Sequence, residues 1–124
     1  MEEYLYVISF ILLINFIYLF SLKSYVLKII KNIQNQDIKI NKFSFILSYL
    51  LISFGLYFFI IKPRKNVEDA FILGILVYGF YHLKNLSFLS KWDLFLGMIE
   101  TLFGGISFYL TTYLTYKYVG IVKM

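Results

Sequence analysis

The chain has 124 residues, of which 60% are hydrophobic, 22% aromatic and 15% charged, with a mean hydropathy of +0.77, a net charge of +5 and no cysteine. Soluble domains carry about 25% charged and 45–50% apolar residues, and so short a chain has too little interior to hide the excess, which must face lipid. Without cysteine there is no disulfide framework or thiolate metal site, and one histidine leaves no ligand cluster for zinc, so neither metal nor cofactor is expected.

Residues 4–22 hold no charge, and Ser9, Asn15 and Ser21 are their strongly polar members. At about 1.5 Å per residue this run nearly matches a hydrocarbon core of roughly 30 Å and predicts a first span. A cleaved signal peptide fits poorly, because Glu2 and Glu3 make the leading segment acidic and no small-x-small site follows. Lys23 to Lys42 is polar, with Lys23, Lys28, Lys31, Lys39 and Lys42 against Asp37. Leu22, Tyr25, Val26, Ile29, Ile30 and Ile33 recur there at helical spacing, which predicts an interfacial amphipathic helix continuing the first span. Its lysines read as snorkelling helix-end residues, or alternatively as a patch for anionic lipid or a partner.

Residues 43–61 form a second uncharged run, stopped by Lys62-Pro63-Arg64-Lys65. The third span, 70–90, is apolar only from Ala70 to Tyr81, after which His82, Lys84, Asn85 and Ser87 appear. Its polar half needs shelter from protein to lie at membrane depth. The fourth span, 94–116, is interrupted by Glu100 and by Gly97, Gly104 and Gly105, which read as close helix packing. The whole chain, 1–124, is thus expected to be one all-α integral membrane domain, a four-transmembrane-helix bundle. Four spans put both termini on one side with the 62–69 loop, and a Lys and Arg tally of seven against five leans to a cytoplasmic long Lys-rich loop but is too narrow a margin to settle orientation.

An ionised carboxylate inside a span costs about 2.5–3.5 kcal/mol on insertion scales, which makes Glu100 the residue to explain. It lies about 9 Å inside the fourth span by helical rise, and counting from span ends puts Asn15 and His82 at similar depth. Tyr78, His82 and Asn85 follow i, i+4, i+7; Tyr81 pairs with Asn85 at i+4 and Asn15 with Tyr18 at i+3. The expected polar pocket is therefore Asn15, Tyr18, Tyr78, Tyr81, His82, Asn85 and Glu100, with His82 or Lys84 as the partner that a buried acid requires. The bland alternative is interhelical glue, worth about 0.6 kcal/mol per contact. The remaining tyrosines and Trp92 read as an interfacial belt.

The run Gly74, Tyr78-x-x-Tyr81-His82-Leu83-Lys84-Asn85-Leu86, then Leu89, Trp92 and Glu100-x-x-Phe103-Gly104, resembles a family of predicted four-helix membrane proteins known as a domain of unknown function (DUF 2177). The family pattern has Tyr-x-x-Tyr-Asp-Leu-Thr-Asn-Leu, a Leu, a Trp-Pro and Asp-x-x-Trp-Gly. Ile14-Asn15-Phe16-Ile17-Tyr18-Leu19 is similar to its first-span Leu-Asp-x-x-Trp-Leu, and Tyr49, Gly55, Phe59 and Pro63 match its second span. Where the family has aspartates in three spans, this chain has Asn15, His82 and Glu100, so polarity is kept while charge changes. The resemblance implies a shared intramembrane polar site and, from the lipid-modifying genes beside bacterial members, a role near fatty acyl chains.

These readings lead to a small polytopic membrane protein with a polar pocket near one interface that binds lipid or assists lipid modification, its catalytic residues unassigned. The alternative is a structural or assembly component without chemistry. Eighteen Ile, 14 Phe and 12 Tyr against one Ala and one Arg reflect an AT-rich genome, and the membrane is then a cell membrane or the internal membrane of a virus. An oligomeric ion or proton pathway ranks last, with one acid and one histidine per chain. The expected partners are membrane lipids, a second copy of the chain or other membrane proteins. Nucleic acid is not among them, since membrane-flanking lysines account for the positive charge.

Overall fold

The computed structural model describes residues 2–34, 42–89 and 93–119, and the regular structure among them is entirely helical: α1 (Glu2–Gln34), α2 (Lys42–Leu56) running into a π-helical turn (Tyr57–Ile61), α3 (Val67–Phe88) and α4 (Leu94–Val119). Four segments are long and apolar enough to cross a membrane: Glu3–Ser21, Lys42–Ile61, Val67–Phe88 and Leu94–Val119. Helices are the form that lets an apolar segment satisfy its own backbone in lipid. Apolar side chains cover the outside: Leu5, Leu12, Leu13, Phe16, Ile17 and Phe20 of α1 are exposed, whereas Val7, Ile11 and Asn15 are buried at i, i+4, i+8.

Several boundaries differ from the sequence reading. α3 begins at Val67, not 70, which puts Glu68 and Asp69 in its first turn, where the free amides and helix dipole favour negative charge. α4 continues to Val119 with Lys117 in its last turn, where the dipole favours a cation. α1 is one helix of 33 residues, so the expected extension continues the span without a break at Lys23. By rise alone it is about 50 Å long, well beyond a hydrocarbon core of about 30 Å. The 35–41 connection, Lys91 and Trp92 lie outside the described residues.

The most extensive contact joins α3 to α4, and glycine is its reason. Gly74 lies against the backbone of Gly104 and Gly105, Gly104 lies under the Tyr78 ring, and Gly105 lies under Ile75 and Phe71. A methyl group at any of the three would collide with these neighbours, so the two backbones approach as only glycine permits. α1 packs on the other flank of α4 through Tyr18 stacked on Phe103, ring centroids 4.0 Å apart, and Phe10 against Tyr118. α2 is held to α1 by Tyr4, stacked on Tyr57 and donating from its hydroxyl to the Leu50 carbonyl at 3.0 Å.

The turn after α2 is tied closely. Lys62 N–H donates to the Tyr57 carbonyl at 2.7 Å, closing the wide π turn. Arg64 N–H to the Ile61 carbonyl and Lys65 N–H to the Ile60 carbonyl then form a Schellman cap. Its left-handed position, which normally favours glycine, is filled by Arg64 at φ 62°. The Arg64 guanidinium forms an ion pair with Glu3 and donates to the Ile61 carbonyl at 2.8 Å, and Tyr116 donates from its hydroxyl to the carbonyls of Lys65 and Ile60 at 2.6 and 3.2 Å. One arginine thus joins α1 to the α2–α3 turn despite the strained backbone.

On the opposite face, Asp93 caps α4 by accepting from Leu96 N–H at 3.1 Å and accepts the Tyr25 hydroxyl at 2.9 Å. The Leu96 amide and then the Tyr25 hydroxyl hold the Asp93 carboxyl below its usual range, and the bond to Asp93 raises the Tyr25 phenol above 10.0. A lowered acid stabilises the fold above its unfolded value, a benefit lost as pH falls through the folded value; a raised phenol stabilises it below its own unfolded value, a benefit lost as pH rises through the folded one. The tether is therefore expected intact between about pH 4 and 10. Amide exchange in the first turn of α4 should rise outside that window, and Tyr25→Phe should narrow its acid side.

Candidate functional site

Glu100 of α4 meets His82 of α3. Their Oε1 and Nε2 atoms are 2.8 Å apart, with the His82 side chain 6% and the Glu100 side chain 20% exposed. His82 is placed there by Gly97, which has no side chain to fill the space: a Cβ at Gly97 would sit 3.3 Å from His82 Cβ and 3.5 Å from its Nδ1. The predicted partnership of Glu100 with His82 or Lys84 thus resolves to His82, and exposed Lys84 lies over the Phe80 ring, 6.0 Å from its centroid. At this distance the two groups are in hydrogen-bonding contact, which supplies the partner that a buried acid requires.

The pair lines a cavity of about 430 Å³ with Phe45, Ser48, Tyr49 and Ile52 of α2 and Val77, Tyr78 and Tyr81 of α3. Phe45, Val77 and Tyr81 of its lining are exposed on the outer surface of the bundle, so the cavity reaches that surface. Tyr78 and Tyr49 are near enough to Glu100 to interact with its charge. The buried Tyr18 hydroxyl also lies beside that carboxylate, short of a well-formed hydrogen bond.

Four of the other six predicted residues therefore lie around Glu100: Tyr18, Tyr78, Tyr81 and His82. Asn15 does not join them. Its amide donates to the Ile11 carbonyl at 2.8 Å and to the Ser107 hydroxyl at 3.3 Å, and Ser107 lies seven residues, or about 10 Å of rise, beyond Glu100. Counting depth from Leu22 misplaced Asn15, because α1 does not end there and its register is set by the Tyr18–Phe103 stack. Asn15 instead lines a second groove of about 330 Å³ between α1 and α2, and Phe45 and Tyr49 line both. Asn85 is half-buried in the last turn of α3 and is not among the residues lining the Glu100 cavity. Sequence reasoning missed Ser48 and Ser107, and assigned Tyr49 no role in the site; the i, i+4, i+7 spacing of Phe45, Tyr49 and Ile52 was the available signal for α2.

A family model described as "Predicted membrane protein (DUF2177)" matches residues 1–117. The chain belongs to this family. With four candidate spans, membership makes it a multi-pass integral membrane protein and accords with the resemblance read from the sequence. No curated protein and no solved structure matches the chain at significant similarity.

Proposed function

We propose that the His82–Glu100 cavity binds the polar group of a membrane lipid and assists its modification by moving a proton. The observation carrying this reading is the acid–imidazole pair at 2.8 Å in a cavity of about 430 Å³ between candidate membrane spans. The cavity lining holds one carboxyl, one imidazole, three phenols and Ser48, with no lysine or arginine, a set that suits a lipid hydroxyl or amine better than a phosphate. Glu100 serves as acid, base or anchor, His82 pairs with it, Tyr49, Tyr78 and Tyr81 orient the ligand by hydrogen bonding, and Tyr18 flanks the carboxylate. Asn15 and Asn85, expected in the same pocket, have no part in this reading. Glu100→Gln should change the lipid composition of expressing membranes while the protein remains inserted and folded; an unchanged lipid profile overturns the reading.

The assembly reading draws on a different observation, the length of α1 beyond Ser21 with Lys28 and Lys31 exposed along it. It predicts that reversing the charge of Lys28 and Lys31 disrupts binding to anionic vesicles, whereas Glu100→Gln changes only stability.

A further inference from the structure

The first two turns of α2 are exposed on every side. Each residue from Lys42 to Ser48 is exposed, and seven successive positions at about 100° apiece cover the whole circumference of a helix. Further along, Ser53 and Leu56 are buried and Tyr4 holds the helix at Leu50 and Tyr57, so α2 is anchored at one end and spaced off the bundle at the other. The space beside those spaced-off turns is the pair of cavities that share Phe45 and Tyr49: the Glu100 cavity toward α3 and the groove of about 330 Å³ toward α1. The two rings meet edge to face, centroids 5.1 Å apart. Leu12, Leu13, Phe16 and Leu19 make the groove apolar, and the Asn15 amide on its wall is turned to Ile11 and Ser107.

We infer that the α1–α2 groove seats an acyl chain of the lipid whose polar group enters the Glu100 cavity. The register of the helices gives the depth. α1 and α4 run antiparallel, with Tyr18 beside Phe103 and Phe10 beside Tyr118, so earlier residues of α1 lie beside later residues of α4. Asn15 meets Ser107, seven residues beyond Glu100, and Leu12 lies three residues further in the same direction. By helical rise Leu12 is about 15 Å deeper than Glu100, half of a hydrocarbon core of roughly 30 Å. Leu12 is also the central residue of the Glu3–Ser21 span. The groove therefore runs from near the depth of the His82–Glu100 pair to the middle of the bilayer, the path of an acyl chain whose polar group is held at Glu100. Lipid tails are as apolar as leucine, so the chain gains little by leaving bulk lipid, and its polar group supplies the tie to the site. This assignment rests on the lipid reading for the polar end of the ligand.

The test uses the full chain in phosphatidylcholine bilayers with two photoactivatable long-chain alcohols, one carrying a diazirine near the end of its chain and one beside its hydroxyl. The first should label Leu12, Leu13 and Phe16, and the second Tyr49 and Tyr81. A small excess of unlabelled hexadecanol should reduce both patterns severalfold and leave unchanged the labelling of Leu76 and Phe95, which are exposed and line neither cavity. Labelling of α1 that hexadecanol does not reduce is bulk lipid and overturns the site. Reduction at Leu83 and Met98 instead puts the chain in the groove of about 340 Å³ between α3 and α4 and also overturns the assignment. Leu12→Trp fills the α1–α2 groove from an exposed position and should cut labelling of Leu13 and Phe16 severalfold. Leu5→Trp, exposed on the same helix outside the groove, should leave it unaltered; equal labelling in the two variants overturns the seat of the chain. The Glu100→Gln lipid profile, which does not depend on the groove, separates failure here from failure of the lipid reading.

Discussion

Replacing Gly74 with alanine is expected to unfold the α3–α4 pair under conditions where the wild type is stable, at a cost of about 3 kcal/mol, the upper end for overpacking. The added methyl meets the Gly104 carbonyl and the Gly105 Cα, which are backbone and cannot rotate aside. The control is Gly55→Ala, where nothing lies within 4 Å and a helical glycine is removed; it should be neutral or stabilising by up to about 1 kcal/mol. Denaturation in mild detergent followed by circular dichroism measures both, and similar midpoints for the two variants would refute the account of the interface. Gly104→Ala differs in kind, since its methyl meets the Tyr78 ring, which also lines the Glu100 cavity.

His82→Leu is expected to cost up to about 3 kcal/mol, because it strands the Glu100 carboxyl inside the bundle without its imidazole. His82→Leu/Glu100→Leu should recover most of that loss, since replacing both members of a buried pair with apolar groups is often neutral or stabilising. The same unfolding measurement on the two single variants and the double one gives the coupling. A double variant as stable as wild type would mean that the pair does not serve stability and is kept for what it does in the cavity. A double variant as unstable as His82→Leu would make the pair structural glue.

The architecture was legible because lipid imposes a simple rule: uncharged runs of about 20 residues must be helices. The meeting of His82 and Glu100 was legible for a related reason, since an acid at that depth needs a partner and few candidates existed. The position of Asn15 was not, because register between helices depends on side-chain packing such as the Tyr18–Phe103 stack, which spacing along one helix does not encode. The π turn at Tyr57–Ile61 and the left-handed Arg64 were equally hidden. Each is held by distant partners, Tyr116 and Glu3, that no local pattern announces.

The glycine contact between α3 and α4 also bears on how the protein is made. These helices are neighbours in the chain, joined by a short connection, so their association needs little loop closure and is expected to form early as a hairpin. α1 precedes α4 in the chain and waits for it before Tyr18 can stack on Phe103 and Asn15 can reach Ser107. Until then Asn15 lacks its interhelical partner. The contacts between α1 and α4 are thus completed only when α4 arrives.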